Sequence, residues 1–139
     1  MAAASLKPAD RASLERFVRD TLGCTCPDAV FESIVIQHDD AAVPLRHTRL
    51  VVGERLLIYL LEGPAGRVAP ADVARLAGRG LAERNERGFN RFRLVVEWDR
   101  PVQEPGEFVA SFSSVAGRDD RAHLHVIPAG QLPDVLRHP

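Results

Sequence analysis

The chain has 139 residues, 45% hydrophobic and 27% charged, which suits one ordinary globular domain spanning 1–139. Eighteen basic residues stand against nineteen acidic ones, for a formal net charge of −1. That balance leaves no broad electrostatic footprint for phosphate backbones, so no nucleic-acid partner is expected.

Residues 1–7 carry no structural signal and, like the last few residues, are expected to be disordered. They also lack the charged and then apolar segments of a signal peptide. The longest apolar stretch, Leu56 to Leu61, is too short to span a bilayer. A cytoplasmic location without membrane contact is therefore expected. In that reducing compartment a cysteine pair does not normally form a structural disulfide.

Pro8 and Asp10 open the first helix, Leu14, Phe17, Val18 and Leu22 recur at helical spacing, and Gly23 supplies a left-handed stop. A second short helix is predicted to follow at once. Cys26 stands at its N-cap and Pro27 at its first position, and it runs to about Ser33. Ile34 to Gln37 reads as a strand and His38 to Pro44 as a polar loop. Leu50 to Val52 and Leu56 to Leu61 form a hairpin, for which Gly53-Glu54 suits a type II′ turn.

A third helix starts at Pro70, with Val73, Leu76, Ala77, Gly80 and Leu81 along one stripe, and ends at Gly88. The charged run Arg79 to Arg87 reads as its solvated face, with Glu83 and Arg87 spaced as an i,i+4 pair. Phe89 to Asp99 is an alternating strand. Phe108, Val109, Phe112 and Val115 have helical spacing. Arg121 to Ile127 is the last strand, and Gln131 to Arg137 a terminal helical turn.

From residue 55 the order is strand, helix, strand, helix, strand. Right-handed crossovers then make these three strands parallel, with both helices on one face if the strands lie in sequential order. The predicted class is α/β: a single compact domain whose mixed sheet of four or five strands is mostly parallel, with helices mainly on one face. Alternation places Phe92, Leu94, Val96 and Trp98 toward those helices and Arg93, Glu97, His123 and His125 on the second face, with Tyr59 expected beside them. That polar face is a candidate ligand site or interface, and a homodimer through it is one expectation.

Two features carry chemistry. Cys24-Thr25-Cys26-Pro27 puts two thiols one residue apart at a helix start, where backbone N–H groups and the dipole favour thiolate. A disulfide across so small a ring is strained and labile. Alternatively, Cys24 and Cys26 supply thiolate ligands for zinc or another soft transition metal. His123 and His125 lie two apart on a strand and are the expected partners, with His38 and Asp39 as competing ligands. The leading expectation is thus a thiol-based metal-binding or redox site.

Arg121-Ala-His123-Leu-His125-Val-Ile127-Pro128 also resembles the signature of histidine-triad nucleotide hydrolases and transferases. Over about eight residues, with an echo at Gly88-Phe89-Asn90, the resemblance implies phosphate-ester chemistry with His123 as nucleophile. Arg121 occupies the place of the first histidine of that signature.

Overall fold

Sequence-local signals account for most of the boundaries. Helix α1 (Pro8–Arg16) begins on a proline and continues as a π-helical turn, Phe17–Thr21. Gly23 then reverses the chain at φ +74°. Strands β1 (Ile34–His38), β2 (Thr48–Val52) and β3 (Leu56–Leu61) follow, then helix α2 (Pro70–Arg87), strand β4 (Arg91–Trp98), helix α3 (Pro105–Ala116) and strand β5 (Ala122–Pro128). The computed structural model describes residues 6–38, 47–62, 69–98, 105–128 and 130–137. None of the described helices is long and apolar enough to cross a membrane.

The strands form one sheet in sequential order, β1-β2-β3-β4-β5. The first two pairings are antiparallel and the last two parallel. The sheet is therefore five-stranded and mixed, with parallel pairing confined to its second half. The short segment between β1 and β2 can only return antiparallel, because a parallel return needs a crossover of a dozen or more residues.

Helices α2 and α3 cover one face, where Val73, Leu76, Ala77, Phe108 and Phe112 pack on Leu57, Leu61, Phe92, Leu94 and Val96. Gly80 is required there: a β-carbon in its place would fall 2.2 Å from the Phe92 ring. The opposite face is not bare. Leu14, Phe17, Val18 and Leu22 of the first helical segment pack with Phe31, Leu132 and Leu136 on Leu50, Ile58, Val95 and Ile127. At roughly 1.5–3 kcal/mol for each fully buried large apolar side chain, both layers contribute to stability.

Three local expectations need correction. The β2–β3 turn holds three residues, and both Gly53 and Glu54 have positive φ (62° and 56°), whereas a type II′ turn has positive φ only at its first central residue. The hairpin is set by Val30, whose carbonyl oxygen would lie 2.8 Å from a β-carbon at position 53, so only glycine fits.

The second correction concerns the segment after the cysteines. It is a single 3₁₀ turn, Asp28–Glu32, with extended Pro27 (φ −66°, ψ 156°) as its cap. Cys26 lies before that cap, and helix-dipole activation of its thiol does not apply. The third concerns Glu83 and Arg84, which are buried rather than solvated.

Candidate functional site

The parallel register brings the basic residues of β4 beside the histidines of β5. Arg93 pairs with His123 and Val95 with His125, so their side chains share the face covered by α1. Arg93 Nη1 lies 2.8 Å from His125 Nε2, and Arg91 Nη1 lies 3.4 Å from His123 Nε2. A guanidinium can only donate, so both imidazole Nε2 atoms accept and both rings are neutral with the proton on Nδ1. Burial, then Arg93, then His123 push the His125 pKa down to about 4. Burial, Arg93 and Arg91 lower that of His123.

The cysteine segment closes over this edge of the sheet. Cys24 and Cys26 have Cα atoms 5.4 Å apart and their sulfurs in disulfide contact. Arg19, in the π-helical turn Phe17–Thr21, donates to the Cys26 carbonyl oxygen at 3.1 Å and to Asp28 Oδ1 at 2.5 Å. Its guanidinium also stacks over Phe31, 5.0 Å from the ring centre. The Cys24 backbone N–H donates to the Val18 carbonyl at 3.1 Å, so the loop is fixed on both sides.

Between the cysteine loop and the sheet lies a pocket of about 480 Å³. Cys24, Cys26, Arg55, Arg91, Arg93 and His123 contribute to its wall, and no Asp or Glu does so among the described residues. Arg55 comes from the β2–β3 turn, and its carbonyl accepts the Asn90 and Arg91 N–H groups at 2.7 and 3.2 Å. The pocket sits at the N-terminal ends of β3, β4 and β5, although ligands of open α/β sheets usually bind beyond the carboxyl ends.

The expected site residues therefore separate into groups. Cys24, Cys26, Arg93 and His123 meet at one pocket, and His125 lies just behind it on Arg93. His38 sits at the far end of β1, its Nδ1 2.9 Å from Thr48 Oγ1, and is not brought to the cysteines. Asp39 lies outside the described residues. Glu97 shares the sheet face but closes its other end, accepting from Arg137 at 2.7 and 3.0 Å and from the Gly130 N–H at 3.2 Å.

Tyr59 points to the opposite face. Its register partner is Leu94, and its hydroxyl donates to Glu83 Oε1 on α2 at 2.6 Å. Glu83 also takes a two-pronged contact from Arg49 and one from Arg87 at 3.3 Å. Burial would raise the Glu83 pKa, but hydrogen bonds from Arg49 and Tyr59 hold it below the usual carboxylate range. Burial and Glu83 raise that of the Tyr59 phenol.

Tyr59, Arg93 and Glu97 are all buried, so they offer no exposed surface to a second copy of the chain. The exposed large apolar side chains among the described residues are Val109 and Val115 on α3. Arg55, Arg91 and Arg19 were not singled out by sequence. Arg91 was signalled by its place two residues before Arg93 on the same strand face; Arg55 and Arg19 had no such signal.

No known family, curated protein or solved structure matches the chain. The chemistry of the pocket therefore has to be read from its own residues. Among the described residues no group of three or more His, Cys, Asp or Glu is placed to hold a metal ion.

Proposed function

We propose that the chain is a thiol-redox module in which Cys24 and Cys26 cycle between dithiol and disulfide in the wall of a cationic pocket. One observation carries this: the two sulfurs touch, and they share their pocket with Arg55, Arg91, Arg93 and His123. Positive charge favours thiolate over thiol, lowering cysteine pKa and raising reactivity. Stabilising the reduced form in this way makes a disulfide a better oxidant.

The same charge disfavours zinc or another soft transition metal. A divalent ion would join three guanidiniums that no carboxylate of the pocket offsets. Both histidine Nε2 atoms, moreover, already face arginine donors. Redox chemistry is thus favoured over metal binding. Phosphate-ester chemistry at His123 gains support from the cationic wall. It loses support at Arg121, which lies exposed in the turn before β5 rather than orienting a nucleophile.

Alkylation of the reduced protein across pH, followed by intact mass, tests the proposal. At least one cysteine should titrate below the ordinary thiol value of about 8.5. Arg91→Gln should move that midpoint upward, and Cys26→Ser should abolish the internal pairing. An ordinary midpoint, insensitive to Arg91, contradicts the redox role.

A further inference from the structure

Of the two buried arginines among the described residues, Arg84 meets a carboxylate, Asp119 at 2.6 Å, and Arg93 does not; the partly exposed Arg49 and Arg137 are held by Glu83 and, at 2.7 Å, by Glu97. Arg93 is 8% exposed and has no carboxylate partner among the described residues. Its Nη1 rests on a neutral imidazole, and its Nε is buried with no hydrogen-bond acceptor at all. Native structures satisfy nearly all buried donors, so an orphan of this kind calls for an acceptor. A buried charge without a counter-charge calls for it more strongly.

Nε itself is sealed off, but a counter-charge for the guanidinium has a defined place. Arg93 lines the pocket, and two further cationic residues, Arg55 and Arg91, surround the same space together with neutral His123. Planar carboxylates match the guanidinium fork, with two oxygens for two N–H groups. The pocket volume of about 480 Å³ falls within the range of small-molecule sites. The opposite wall carries Cys24 and Cys26.

We propose that the redox partner of Cys24 and Cys26 is a small thiol bearing a carboxylate, held by Arg93 while its sulfur reaches the cysteine pair. This rests on the redox role argued above and adds the class of substrate. The thiolate of one such molecule attacks one cysteine sulfur, the Cys24–Cys26 bond breaks, and the displaced sulfur leaves as a thiolate. A mixed disulfide results. The thiolate of a second molecule attacks the sulfur of the first, releasing the small-molecule disulfide and leaving the protein as a dithiol. Two thiols are oxidised and one protein disulfide is reduced, with no further electron donor.

The test follows reduction of the oxidised full chain by mercaptopropionate and by uncharged mercaptoethanol at equal thiolate concentration and low salt. Mercaptopropionate should be faster by about tenfold or more, the difference expected for a charge-assisted hydrogen bond. Propionate, which lacks the sulfur, should inhibit only that reaction. Arg93→Met should bring the two rates together. Arg91→Gln, at a half-buried wall position, should narrow the gap and serves if Arg93→Met does not fold. Equal rates in the native chain, with no effect of propionate, overturn the carboxylate partner while leaving the redox role standing. If neither thiol reduces the chain, the redox role falls and the partner with it.

Discussion

Replacing Arg93 by methionine should stabilise the ligand-free protein, which is an unusual outcome for a buried strand position. The substitution keeps a long flexible chain but removes the charge and the buried Nε–H that has no acceptor. An unsatisfied buried donor costs about 1–3 kcal/mol, and replacing a buried ion with an apolar side chain is often neutral or stabilising. Against this, His125 Nε2 loses its donor. His125 is only half-buried, so water can take that place at a cost of up to about 1 kcal/mol.

The net expectation is a gain of about 1–2 kcal/mol. With 139 residues and about 2.1 cal/mol/K of unfolding entropy per residue, each kcal/mol moves Tm by about 3–4 °C. The variant should therefore melt about 3–7 °C higher in scanning calorimetry, in buffer free of carboxylates and phosphate. A Tm several degrees below the native chain would refute the reasoning, because Arg93 would then be a structural residue rather than a charge held ready for a ligand.

Other perturbations probe both faces of the sheet. Glu83→Ala strands Arg49 and the Tyr59 hydroxyl in a largely buried site and should cost about 3 kcal/mol in urea unfolding. A loss under about 1 kcal/mol would show that the cluster is solvated, as sequence spacing suggests. The pKa of His125, pushed down to about 4 in the folded state against about 6.5 unfolded, links stability to pH. Between those values the unfolded chain binds a proton that the folded chain does not. Stability should therefore fall as pH drops through this window, by an amount on the order of 3 kcal/mol. His125→Gln keeps an acceptor for Arg93 and should flatten that part of the pH curve; an unchanged slope would place the titration elsewhere.

Much of this arrangement was legible in the sequence where side chains alternate sharply. β4 sets Phe92, Leu94 and Val96 against Arg93 and Glu97, and the parallel register then carries His123 and His125 to the same face. Gly23 and Gly88 mark the two helix ends they were expected to mark. Tyr59 was misplaced because β3 is apolar throughout, so alternation gives no phase; only its pairing with Leu94 fixes the side.

Long-range partners were the other gap. Glu83 looks solvated on its own helix because Arg49, 34 residues earlier, is invisible to helical spacing. Glu97 likewise meets Arg137 only through a 40-residue separation. Pro27 was ambiguous for a local reason: extended proline serves before a helical turn as readily as in its first position, and a shift of one residue moved Cys26 off the cap. The arginines that share the cysteines' pocket are instead a tertiary feature, brought there by β4 and the β2–β3 turn.

The most direct test of the redox role is the thiol–disulfide equilibrium of Cys24 and Cys26. The chain would be equilibrated in dithiol–disulfide buffers of defined potential, trapped by alkylation and weighed by mass spectrometry. The cationic pocket predicts a reversible two-electron transition, with a midpoint above the −300 mV or so below which structural disulfides typically lie. Cysteines that stay unpaired at every potential, or that pair only below that value, would contradict it.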